Sequence, residues 1–302
     1  MRVTATDAVE DYLLLWVLLS VGLGLAVPEI AVVTRASTVL LAVMIGSVSL
    51  TLSVDQFRRI DGRTLGPILA GHAAMPFLAY GVARGLGASP ELTAGFVVLG
   101  AVTPELVTPV MTELAGGDTA LSTAVLVLAG VGSVGFLPGV VALLVGGVDV
   151  PTAPIVEQLL VAVVAPMLAA VLARAWYPER VRRYDAYYPS VSALMVVVVI
   201  GGVTAANAAV VRSNGRLLAS VALGAVTLNA LGYGVGLLVG SRGHRRARIA
   251  SVLSVGMRDF AVAAALVVAT GLPTTASLPA VAFGVVEMVS SAGLARWFAR
   301  TR

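Results

Sequence analysis

Apolar runs follow one another along almost the whole chain. Short connections separate them, and arginine, glycine, proline and acidic residues gather there. A helix needs about 20 apolar residues to cross the hydrocarbon core of a bilayer. On that measure ten spans are expected, at 12–27, 36–53, 65–83, 92–115, 119–146, 155–174, 189–209, 217–240, 249–270 and 278–297. The fourth and the ninth are interrupted, because charged residues, prolines or glycines fall inside them. No connection is long or polar enough to be a soluble domain. The expectation is therefore an all-α polytopic membrane protein with one transmembrane domain over 1–302.

Composition strengthens this pattern. The chain is 58% hydrophobic and 12% charged, with a mean hydropathy of +0.97. Soluble domains carry about 25% charged residues. The absence of cysteine excludes thiolate metal sites, disulfides and cysteine redox chemistry, and two histidines do not make a multi-histidine metal site. The net charge of +4 reads as membrane topology, not as nucleic-acid affinity. The opening MRVTATDAVEDY lacks a basic n-region and a small-residue cleavage site, so the first apolar stretch is expected to be retained.

Arginine supplies all twenty basic residues and orients the spans. Arg2, Arg58, Arg59, Arg63, Arg174, Arg180, Arg182, Arg183, Arg242, Arg245, Arg246, Arg248, Arg296, Arg300 and Arg302 lie on the side of the N-terminus. Arg35, Arg84, Arg212 and Arg216 lie on the other. Fifteen against four places both termini in the cytoplasm of a cell-membrane protein. Ten spans then divide into two repeats of five, about 1–150 and 151–302. An odd number of spans inverts the second repeat relative to the first. VEDYLLLWVLLSVGLGLAVPE (9–29) and VEQLLVAVVAPMLAAVLARAWYPE (156–179) open the two halves alike, each running from Val-Glu to Pro-Glu. Inverted repeats with broken helices in matching positions are the pattern of secondary transporters.

Charge inside the spans marks candidate chemistry. In span four, TPELVTPVMTELAGGDTALS (103–122), Pro104 and Pro109 each remove an amide donor. Irregular backbone at membrane depth is tolerated only where protein or water satisfies it. Glu105, between the prolines, is an intramembrane carboxylate and hence a functional candidate, with the Thr108 hydroxyl beside the second break. Asp118 is placed to N-cap span five, and Glu113 near the membrane surface. In span nine, Arg258 and Asp259 follow Gly256. A buried arginine calls for an acidic partner, and Asp259, Glu105 and Glu287 of span ten are available. His72, in span three with Pro76, is a hydrogen-bonded core group or a proton relay together with Glu287. Asn229 and Tyr233, one turn apart in span eight, suit interhelical hydrogen bonds, and the glycines suit close helix packing. No nucleophile–base set appears, so no enzyme is expected.

Three stretches resemble the bile acid:sodium symporter family, which includes arsenite-efflux relatives. They are MIGSVSLTLSVDQFRR (44–59), VTPVMTELAGGDTALS (107–122) and SVGMRDFAVAAAL (254–266). The resemblance implies ten helices in two inverted repeats, with spans four and nine broken and crossing. It implies a core of spans 3–5 and 8–10, and a panel of spans 1, 2, 6 and 7. It implies a small organic anion as substrate, moved between core and panel with sodium. The crossing is expected to involve Glu105, Thr108, Pro109, Arg258 and Asp259. No resident cofactor is implied beyond Na+.

The sequence departs from the family pattern where that pattern binds sodium. The family's Ser-Asn pair falls on Thr108 and Pro109. Its glutamate falls on Ser254 and its Gln-Asn pair on Arg258 and Asp259. Its span-three glutamine falls near Gly71 and His72. A serine is kept as Ser122, while a hydroxyl becomes Leu126. A rearranged sodium site would use Thr108, Ser122, Ser254 and Asp259. A guanidinium at a cation site would instead repel sodium by several kcal/mol at low effective dielectric, about 4 at 4 Å. The second reading is thus a sodium-independent carrier, proton-coupled or uniporting, with Arg258 as a built-in cation. A transport-inactive membrane sensor or scaffold is the reading from another class.

Overall fold

The structure is a computed structural model and describes residues 12–51, 62–145 and 152–300. Arg2, Arg58, Arg59, Arg302 and the second half of the 44–59 stretch lie outside these residues. Among the described residues all regular structure is helical and no strand occurs. Eight helices among the described residues are long and apolar enough to cross a membrane. They are Pro28–Ser49, Gly62–Gly85, Thr119–Leu144, Thr152–Trp176, Tyr188–Ala206, Gly215–Val239, Arg245–Ala269 and Thr274–Arg300.

The other two expected spans contain shorter apolar helices, α1 (Leu13–Ala26) and α4 (Pro90–Ala101). The reasons are local. The Val27-Pro28 step stops α1, because a residue before proline is driven out of the helical region. Pro28 then opens a tight 3-10 stretch, Pro28–Ala36, that runs into α2 (Ser37–Ser49). α3 (Gly62–Gly85) holds both Pro67 and Pro76 and continues past them. α4 ends where Pro104 removes the next donor, and after an irregular stretch the chain resumes as α5 (Thr108–Leu114) with Pro109 in its first turn.

Asp118 caps α6 (Thr119–Leu144), accepting from the Leu121 amide at 3.1 Å. The turn before it needs Gly116 at φ +74°, a left-handed conformation that costs glycine nothing. Span six consists of α7 (Thr152–Leu159), one π turn (Leu160–Val164) and α8 (Ala165–Trp176). The π turn lies just before Pro166, where the ladder must absorb a missing amide. A short turn, α9 (Pro178–Arg182), leads to α10 (Tyr188–Ala206), α11 (Ala208–Ser213) and α12 (Gly215–Val239). Span nine is α13 (Arg245–Gly256) and α14 (Phe260–Ala269), separated by Met257–Asp259. A 3-10 turn then leads into α15 (Leu278–Arg300).

Helix packing sets the surroundings of the two breaks. α10 lies against α1 and α2, and α2 against α8; elsewhere α12 packs on α3, α13 and α15. The Arg245–Ala269 stretch is the most enclosed, with 89% of its apolar window buried against 28% for Pro28–Ser49. Polar groups on α13 and α14 therefore face protein, not lipid. Close approach depends on glycine at two positions. A Cβ on Gly100 would meet the Pro76 Cα at 2.8 Å, and one on Gly256 would meet the Tyr233 ring at 2.1 Å. Both positions lie beside a break.

Candidate functional site: two helix breaks and a buried arginine

The breaks in spans four and nine meet. The Asp259 amide donates to the Thr103 carbonyl at 3.0 Å, which joins the irregular stretch after α4 to the one before α14. Within the first break, the Thr108 amide donates to the Glu105 carbonyl at 2.9 Å. Asp259 also caps α14, with Oδ1 accepting from the Val262 amide at 2.9 Å. Two adjacent helix starts and two adjacent helix ends are thereby held together.

Arg258 is fully buried, at 0% exposure. Its guanidinium donates from Nη1 to the Val102 carbonyl at 3.2 Å and from Nη2 to the Val255 carbonyl at 3.1 Å. These carbonyls lie at the C-terminal ends of α4 and α13, where backbone acceptors are free and the helix dipole is negative. Nη1 also lies 2.8 Å from His72 Nδ1. The acidic partner expected for this guanidinium is not what it meets. Among the described residues no carboxylate forms an ion pair with it. Glu287 instead accepts from the Arg258 backbone amide through Oε2 at 3.3 Å. The physical reason is the broken helices: two exposed carbonyl ends compete for the same donors.

The other expected site residues lie on the same segments. Ser122 and Ser254, both fully buried, bond to each other at 3.1 Å. Thr112 donates to the Ser122 hydroxyl at 3.3 Å, so these hydroxyls satisfy one another. Thr108 and Asp259 lie at the two breaks, tied through their amides to the Glu105 and Thr103 carbonyls. The Glu105 carboxylate lies against the Phe260 amide and within electrostatic reach of Asp259 and Glu287. Pro109 is buried in the first turn of α5, while Glu113 is exposed. Among the described residues no three His, Asp or Glu side chains converge as a metal-binding group.

Eight buried side-chain polar atoms lack a partner among the described residues. Five of them belong to Thr103, Glu105, Thr108, Arg258 and Asp259. Such atoms are rare in native proteins and each needs an explanation. Around this group, Asn229 donates to the Gly256 carbonyl at 3.3 Å and accepts from Ser290 at 2.8 Å, and Ser290 lies 3.1 Å from the Tyr233 hydroxyl. That chain ties α12, α13 and α15 together, as expected of Asn229 and Tyr233. Thr103 and Thr112 were not anticipated. Thr103 carried a signal, because the residue before a proline is held extended and presents its carbonyl. Thr112 carried none.

A helical membrane protein in which two interrupted helices bury charge at their meeting point belongs to the class of multi-pass membrane transporters. Residues 38–214, more than half of the chain, match the Sodium Bile acid symporter family. The chain belongs to that family. It is also similar to the uncharacterized sodium-dependent transporter YocS of Bacillus subtilis (strain 168). The two are 27% identical over 297 residues, which cover 95% of this chain and 90% of the relative.

Proposed function

We propose that the protein is a secondary active transporter that moves a small organic anion across the cell membrane by alternating access, with its sodium-site residues rearranged. The observation that carries this reading is the Asp259–Thr103 bond between two broken helices, beside a fully buried Arg258. A static bundle has no need of broken helices or of ionisable groups this deep, and intramembrane charge marks ion and substrate paths. In this reading ten spans form two inverted five-helix repeats, 1–150 and 151–302, with both termini cytoplasmic. α1, α2, α7, α8 and α10 make the panel, whose packing partners lie largely among themselves. The core is built on α3 to α6 and α12 to α15, and the anion passes between the two.

Sodium is the favoured coupling ion, supported by the family and by the name of the Bacillus relative. A second reading rests on the guanidinium itself. Arg258 sits on the carbonyl ends of both broken helices, where secondary transporters hold coupling cations. There it acts as a built-in cation, and transport runs on a proton gradient or on none, with His72 and Glu287 as the proton relay.

Purified protein in proteoliposomes tests both readings. Uptake of a panel of small carboxylates and sulfonates is measured with an inward sodium gradient, with a proton gradient, and with neither. Uptake that needs sodium supports the first reading and removes the second. Uptake indifferent to sodium does the reverse. No uptake of any anion under any gradient removes the transporter reading.

A further inference from the structure

We propose that the connection between α8 and α10 is a binding surface for anionic phospholipid, with the guanidiniums of Arg180 and Arg183 on the lipid phosphate and the tyrosines beside them at headgroup depth. The surface concerns the bilayer around the protein, and it holds whichever gradient drives transport. The connection spans residues 177–187 and joins two membrane-crossing helices, Thr152–Trp176 and Tyr188–Ala206. It therefore stays close to the membrane surface. It is also folded. The amides of Arg180, Tyr184 and Tyr187 each donate to the carbonyl three residues back. The Tyr188 hydroxyl donates to the Val181 carbonyl at 3.1 Å. Arg174, near the end of α8, pairs with Asp185 at 2.7 Å and also donates to the Leu50 carbonyl just past α2.

These turns sort the side chains. Val181, Asp185 and Tyr188 recur at helical spacing; the first is buried and the other two are half-buried. Tyr177, Arg180, Tyr184 and Tyr187 recur at the same spacing, and all four are exposed. Neighbours on this outer face touch. The Arg180 guanidinium lies 5.7 Å from the centre of the Tyr177 ring, and the Tyr184 and Tyr187 rings lie 6.5 Å apart. Trp176, the last residue of α8, is 70% exposed just before them. Amphipathic rings of this kind settle at the headgroup level of a bilayer.

Charge decides which lipid fits. Between residues 174 and 188 four arginines meet two acids. Arg174 is engaged by Asp185, and Arg182 lies 3.9 Å from Glu179. Among the described residues no acid pairs with Arg180 or Arg183. Two uncompensated guanidiniums beside a bilayer suit a phosphodiester, whose oxygens accept the forked N–H donors of arginine. A basic cluster next to a membrane span is the usual mark of anionic-lipid recognition. The other arginine-rich connection, between α12 and α13, is built differently. Arg245, Arg246 and Arg248 donate to the carbonyls of Phe298, Gly117 and Ser241. No tyrosine or tryptophan lies among residues 241–248.

The test is thermal melting of the full chain in detergent, titrated with short-chain phosphatidylglycerol, with short-chain phosphatidylcholine and with inorganic phosphate. The expected result is a rise in melting temperature that saturates with phosphatidylglycerol alone. Its midpoint should move roughly fivefold in Arg180→Gln and again in Arg183→Gln, and stay in place in Arg242→Gln. Both arginines are exposed, so the variants should melt like the wild type without lipid. Native mass spectrometry of the purified protein gives a second readout, with phosphatidylglycerol kept by the wild type and lost from the double variant. The proposal is overturned if phosphatidylglycerol has no effect or phosphatidylcholine an equal one. Equal stabilisation by inorganic phosphate would make this a free-anion site instead. An equal shift in Arg242→Gln would mean diffuse attraction by the whole charged side. A change of oligomeric state in the lipid-free double variant would make the surface an interface between copies of this chain. Each of these three results also removes the proposal.

Discussion

Nη1 of Arg258 lies 2.8 Å from Nδ1 of His72, and both residues are buried. A guanidinium offers only donors, so the ring nitrogen that faces it in this state presents its lone pair. His72→Gln keeps an acceptor within reach and is expected to fold and to melt within a few degrees of the wild type. His72→Lys places a second cation beside Arg258. Two unit charges at 4 Å repel by about 4 kcal/mol at an effective dielectric of 20. That variant is expected to lose most of its stability, read as melting temperature in detergent. If His72→Lys melts like the wild type, the imidazole does not serve as the acceptor.

Arg258 satisfies the carbonyl ends of two separate helices. Removing it leaves Val102 and Val255 carbonyls unpaired and the neighbouring acids without a counter-charge. Breaking a buried charged network in this way costs about 3–5 kcal/mol. Arg258→Gln should therefore destabilise the protein strongly. Arg258→Lys keeps the charge, but a point-charge ammonium on one stem cannot reach both carbonyls in a fork. The expected order of melting temperatures is wild type, then Arg258→Lys, then Arg258→Gln. Transport in surviving variants should change its ion dependence. Unchanged melting and unchanged ion dependence in Arg258→Gln would make the residue a bystander.

Much of this arrangement was legible along the chain. Pro104, Pro109 and Gly256 announced the two breaks, because proline and glycine act through local backbone rules that need no tertiary partner. The Asp118 cap was legible for the same reason. The partners of Arg258 were not. Charge complementarity pointed to an acid, whereas the donors went to carbonyls that become acceptors only once the helices end at Val102 and Gly256. Ser122 and Ser254 were legible only through the resemblance, which placed them in one site. The Ser122–Ser254 bond spans 132 residues in sequence, and no local pattern encodes a contact at that separation. The resemblance to the family supplied the pairing of the segments that carry them.

Asp118 holds the start of α6 through the Leu121 amide, just past the turn that ends α5. Loss of an N-cap costs about 1 kcal/mol. Asp118→Ala is expected to lower the melting temperature modestly. Asp118→Ser, which restores a capping oxygen, should recover most of the loss. If Asp118→Ser melts no higher than Asp118→Ala, the Asp118 carboxylate does not hold the helix start.

Gly256 is the last helical residue of α13, and its missing side chain is what lets the Tyr233 ring pack there. A Cβ at Gly256 would lie 2.1 Å from Cδ1 and 2.4 Å from Cε1 of that ring. The ring cannot retreat freely, because the Tyr233 hydroxyl is tied to Ser290, which is bonded in turn to Asn229. Forcing extra volume into such a contact costs about 1–3 kcal/mol. Gly256→Ala is therefore expected to destabilise by that amount and to disturb the Asn229 bond to the Gly256 carbonyl at the edge of the break. Tyr233→Ala removes the obstructing ring and destabilises by creating a cavity. If the steric account is right, the double variant melts well above the sum of the two losses, because the new methyl occupies space the ring has left. A coupling of 0.5–3 kcal/mol is usual for residues in contact. Strict additivity would mean that Gly256 matters for backbone freedom at the helix end and not for room beside Tyr233.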